Sequence, residues 1–67
     1  MNRAKLFHAV DLAHAAAHNA TLAASYDKID RAKAERFARL SEEAAYAVIE
    51  ALFEARLTFP DQQKEAA

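Results

Sequence analysis

Cysteine, glycine and tryptophan are absent from this chain, and its only proline is Pro60. Without cysteine there is no disulfide and no thiolate metal cage. The absence fits a reducing compartment, and a cytoplasmic location is the expectation it supports. Without glycine, and with a single proline, the chain lacks the residues that build tight sheet turns. That leaves long helices as the natural outcome. The formal net charge is only -1, so bulk attraction to nucleic acid or anionic membrane is not expected. No apolar run approaches the ~20 residues that a membrane span needs. Lys5, His8, Asp11 and His14 interrupt any secretory apolar core near the N-terminus.

What the chain has is alanine, which supplies much of its 54% hydrophobic content. Alanine is the best helix former but buries little area per residue. The 67 residues make one domain, and a chain of this size buries only ~60% of the surface that its unfolded form exposes. With disulfides excluded, oligomerisation is the leading way to add stability.

The spacing predicts two helices. The first runs over about residues 3–24 with Asn2 as N-cap. Its heptad seam reads Leu6, Val10, Ala13, Ala17, Ala20 and Ala24. Residues 25–30 hold several side chains that bond to nearby backbone, which predicts a turn. Asp30 is the preferred cap of the second helix, with Asp27 competing and Ile29 placed to staple onto Ala34. That helix is expected over about 31–58, stopped by Pro60, with a polar tail at 60–67. Its seam reads Phe37, Ser41, Ala44, Val48, Ala51 and Ala55, widened by Leu40, Ala45 and Leu52. A short connection between helices of similar length predicts an all-α antiparallel hairpin.

The second helix carries more apolar surface than one neighbour can cover. Tyr46, Ile49, Phe53 and Leu57 lie around the side away from its seam. A helix apolar nearly all round is buried nearly all round, so a homodimeric four-helix bundle is expected. Phe37, Ala44, Val48, Ile49, Leu52 and Phe53 are its candidate interface residues. Charge order agrees. Lys28, Arg31, Lys33, Arg36 and Arg39 crowd the start of the helix, and Glu42, Glu43, Glu50 and Glu54 occupy its later part. This opposes the helix macrodipole, whereas antiparallel association of two copies sets basic halves against acidic ones; a solvated face with no partner is the competing reading.

Asp11, His14 and His18 share one face at one-turn spacing, a pattern that can chelate zinc when other elements complete the ligand set. A solvated polar face is the simpler reading. No nucleophile and base are placed together by the sequence, and a hairpin offers little concave volume, so an enzyme is not expected and no cofactor is implied. Lys33, Arg36 and Arg39 form a basic stripe able to meet phosphates. In length, hairpin layout and polar tail the chain resembles the RNA-binding plasmid-copy-number regulator Rop, without any shared residue motif. Ser41, in mid-seam, either bonds back to the Phe37 carbonyl, fixes register with a partner, or is simply a tolerated small residue. Phe7, Leu22, Tyr26 and Tyr46 are large side chains that could anchor a partner protein, and packing at the dimer ends explains Phe7, Leu22 and Tyr26 equally well.

The run Leu12-Ala13-His14-Ala15-Ala16-Ala17-His18-Asn19-Ala20, followed by Phe37-Ala38-Arg39-Leu40-Ser41-Glu42-Glu43-Ala44-Ala45, resembles short alanine-rich proteins of temperate phages infecting Pseudomonas. Among these it is similar to the quorum-sensing anti-activators. The resemblance implies a small helical dimer that binds a LuxR-type, LasR-like regulator and blocks its DNA binding. It also implies inhibition of the type IV pilus assembly ATPase. The function expected is therefore a non-enzymatic inhibitor or adaptor that works by protein–protein contact.

Overall fold

A computed structural model describes residues 1–57 of the chain. The expected end of the second helix at Thr58, the Pro60 stop and the tail at 60–67 lie outside the described residues. The architecture is an all-α antiparallel hairpin of two helices, α1 (Arg3–Tyr26) and α2 (Arg31–Leu57).

Both helix starts follow from side-chain capping. The Asn2 side chain accepts a hydrogen bond from the Lys5 amide at 3.1 Å, and Asp30 accepts one from the Lys33 amide at 3.1 Å. Each satisfies a first-turn amide that the helix cannot pair internally. α1 continues two residues past the expected end, to Tyr26. Its last carbonyl then makes the turn, because Tyr26 O accepts from the amides of both Ile29 and Asp30, at 3.0 and 2.9 Å. The staple of Ile29 onto Ala34 does not form. Ile29 is 79% exposed, since the tight turn swings its side chain into solvent.

Four contacts set the antiparallel register: the Asn2 amide to the Ala55 carbonyl at 3.3 Å, Lys5 to Glu54 at 2.8 Å, Ser41 to the Ala16 carbonyl at 2.7 Å, and the Tyr26 ring stacked on Phe37. Together they pin the hairpin at its open end, its middle and its turn.

The α2 seam is the one expected, with Ala51 and Ala55 buried and Phe37, Ser41, Ala44 and Val48 half-buried, but it is narrower, since Leu40, Ala45 and Leu52, expected to widen it, are exposed. The α1 seam is not. Val10, Ala13, Ala17, Ala20 and Ala24 are exposed, and α2 instead packs on Lys5, Ala9, Leu12, Ala16, Asn19, Ala23 and Tyr26. The two registers differ by one residue, which turns the helix by about 100°. The expected stripe is apolar throughout, whereas the stripe that packs contains Lys5 and Asn19. Two members of the stripe that packs, Lys5 and Tyr26, have partners across the hairpin. Lys5 reaches Glu54, and Tyr26 reaches Phe37.

The core is thin. The buried residues among those described are Ala9, Ala34, Ala51 and Ala55, and no large side chain is fully buried. An alanine methyl contributes about 0.8 kcal/mol on burial, against ~1.5–3 kcal/mol for a large apolar side chain. The hairpin's own seam therefore supplies little of the hydrophobic stabilisation that a fold of this length requires.

Candidate functional site

The surface divides into faces because each helix uses only one stripe for its neighbour. On α2, Tyr46, Ile49, Phe53 and Leu57 recur at spacings of three and four, nearly opposite the seam. They form the outer edge of the hairpin and are 67, 63, 53 and 57% exposed. A contiguous stripe of large apolar side chains in water marks an interaction surface more often than scattered ones do.

Of the candidate interface residues, Phe37, Ala44 and Val48 are half-buried on the α2 seam, against α1 of the same chain. They hold the hairpin itself. Ile49, Leu52 and Phe53 stay exposed and free to meet another molecule.

The candidate partner anchors separate in the same way. Phe7 and Tyr46 are exposed at 61 and 67%. Leu22 is half-buried. Tyr26 is engaged inside the molecule. Its ring stacks on Phe37 with centroids 5.9 Å apart and planes inclined by 16°, and the Lys33 ammonium sits 4.9 Å from its centroid. This cluster closes the turn end of the hairpin and combines an aromatic pair with a cation over the Tyr26 ring.

That placement of Lys33 also divides the basic stripe. Lys33 is half-buried against Tyr26, whereas Arg36 and Arg39 are exposed and line a shallow groove with Ala32 and Glu35. The acidic Glu35 lies beside the two guanidinium groups and reduces the local positive potential.

Asp11, His14 and His18 are exposed. Among the described residues, no group of three or more His, Cys, Asp or Glu side chains comes together in a way that would hold a metal ion. The face is solvated.

A second groove lies near the turn, lined by Ala23, Ala24, Ala34 and Ala38, with Asp27, Arg31 and Glu35 at its rim. Its floor is alanine, so it is shallow and apolar with charged edges. Sequence reasoning missed it because Ala24 was assigned to the seam. Lys5 with Glu54 was also missed, since lysine in a seam breaks the hydrophobic pattern. No helix among the described residues is long and apolar enough to cross a membrane.

No protein-family model matches this chain, and no curated protein or solved structure shows significant similarity to it.

Proposed function

We propose that this chain is a non-enzymatic protein-binding module, an inhibitor or adaptor that acts by covering a surface of another protein. The observation that carries this reading is the outer edge of α2. Tyr46, Phe53 and Leu57 are each more than half exposed, on a rigid helix. Aromatic anchors on a rigid element bind with little ordering cost, and Tyr and Phe give large contact area per residue. An amphipathic helix edge of this kind fits a hydrophobic groove on a partner. The surface is convex, which suits insertion into a partner better than enclosure of a small molecule.

The resemblance to phage quorum-sensing anti-activators names the first partner to try, a LuxR-type regulator of the LasR-like kind whose DNA binding would be blocked. The type IV pilus assembly ATPase is the second.

The test is affinity capture from a Pseudomonas lysate with wild-type chain and with Phe53→Glu and Tyr46→Glu. Enrichment of a discrete protein by wild type, lost with either edge variant while helical content is kept, supports the proposal. Capture of RNA in place of protein, or protein capture indifferent to both substitutions, overturns it.

A further inference from the structure

We propose that the flat face beside the turn groove seats a second copy of this chain, about a two-fold axis level with Ala13 and Ala45 that runs the two α2 helices antiparallel. This face is distinct from the outer edge assigned above to a partner protein.

The groove lined by Ala24, Ala34 and Ala38 shows which stripes of the two helices share one side. From Ala24 the spacing of four and three runs back along α1 through Ala20, Ala17, Ala13 and Val10, all exposed. From Ala38 a spacing of seven runs along α2 through Ala45 to Leu52, also exposed. Ile49 lies between Ala45 and Leu52 at the margin. The opposite broad face differs in kind, since it presents Asp11, His18, Arg36, Glu43 and Glu50 to water. One side of the hairpin therefore carries charged and histidine side chains with Leu40 among them, and the other carries the alanine stripes with Arg31, Glu42 and Arg56 among them.

The register places the axis. The Ser41–Ala16 and Lys5–Glu54 contacts bring Ala45 level with Ala13 across the hairpin. A single two-fold at that level passes the smallest side chains of both stripes. It also sets small residues against large ones. On α2, Ala38 and Leu52 are equidistant from Ala45, so each meets the other in the second copy. On α1, Ala20 and Leu6 are equidistant from Ala13, and Ala17 and Val10 nearly so. Alternating small and large side chains across an interface is how helices interdigitate at close range.

Charge agrees with the same axis. Glu35, at the rim of the groove, and Arg56 lie almost equally far from Ala45 on either side. In the antiparallel arrangement each meets the other in the second copy, twice per dimer.

The dimensions are adequate. Two helices side by side, each ~36 Å long and ~10 Å wide, present a face of roughly 700 Å², near the ~800 Å² per partner of a stable interface. A second copy also supplies burial that the hairpin lacks, because among the described residues the core is four alanines without one fully buried large side chain.

The chain has no cysteine, so a single introduced thiol reports the axis cleanly. Ala45→Cys, at an exposed position, is expected to form a disulfide-linked dimer under mild oxidation at least about tenfold faster than Phe53→Cys on the outer edge. Sedimentation equilibrium is expected to find wild type dimeric, with Glu35→Arg and Arg56→Glu each weakening the dimer by about threefold to tenfold and the double exchange restoring it. Equal crosslinking rates, a wild-type chain that remains monomeric at 100 µM (on the order of the upper range for association of this kind), or no recovery in the double exchange would overturn the proposal. A monomer that still captures a partner protein through Phe53 would overturn this inference alone and leave the proposed function standing.

Discussion

The Ser41 hydroxyl donates to the carbonyl oxygen of Ala16, 2.7 Å away on the other helix. Such a bond requires that the two backbones approach closely, and the alanines around it permit the approach. It is also specific in register, because a shift of either helix by one residue carries the hydroxyl to a different face. Of the roles that mid-seam serine admits, this is register fixing, with the partner helix supplied by the same chain.

Ser41→Ala should therefore lower stability by about 0.5–1.5 kcal/mol, at the small end, because the Ala16 carbonyl keeps its own helical amide. For a chain of this length that corresponds to a fall in Tm of roughly 4–8 °C per kcal/mol. Thermal unfolding followed by circular dichroism measures it. No change in Tm would show that the seam, and not the hydroxyl, sets the register.

The Tyr26–Phe37 stack joins the last turn of α1 to the start of α2. Tyr26→Ala and Phe37→Ala should each destabilise, and a double-mutant cycle should give a coupling of about 0.5–1.5 kcal/mol. Lys33→Met should remove a further ~0.5–1 kcal/mol through the cation over the Tyr26 ring. Additive losses in urea melts would count against the cluster as a unit.

Asn2 and Asp30 each cap a helix through one oxygen to a first-turn amide. Replacing either with alanine should cost about 1 kcal/mol, and replacing either with serine much less. Denaturant midpoints of the four variants decide this, and equal midpoints for Ala and Ser would contradict the capping role.

Val48 and Phe53 should part company under charge insertion. Val48 is half-buried on the seam, and Phe53 is 53% exposed on the outer edge. Val48→Asp places a carboxylate between the helices and should abolish most of the helical signal at 25 °C. Phe53→Glu should leave that signal within about 0.5 kcal/mol of wild-type stability. The far-ultraviolet spectrum of each variant is the readout.

The basic groove gives a discriminating measurement of its own. If Arg36 and Arg39 meet nucleic acid, binding should fall steeply with salt and with Arg36→Ala or Arg39→Ala. The neighbouring Glu35 and the engagement of Lys33 with Tyr26 lead us to expect no such binding in a filter assay at ~0.15 M salt.

The hairpin itself was legible in the residues. Asn2 and Asp30 carry the capping chemistry, the stretch around Asp27 lacks helix-period apolar positions, and the α2 seam holds Phe37 and Val48, whose bulk makes one face unambiguous. The α1 seam was not legible. There, the stripe one residue away is apolar throughout, and the stripe that the hairpin uses is disguised by Lys5, Asn19 and Tyr26. Ranking positions by hydrophobicity selects Val10 and Ala13 and passes over lysine and tyrosine. Only the facing helix shows that Lys5 has Glu54 and that Tyr26 has Phe37.

The sequence by itself determined that there are two helices, where they begin, and which side of the second one packs, because capping, helix propensity and bulky apolar spacing act along a single strand of chain. The tertiary structure alone decided how the first helix is rotated and therefore which alanine stripe is left facing outward. That choice depends on pairings between residues far apart in sequence, Lys5 with Glu54, Ala16 with Ser41 and Tyr26 with Phe37, whose energies exist only when the two helices lie side by side.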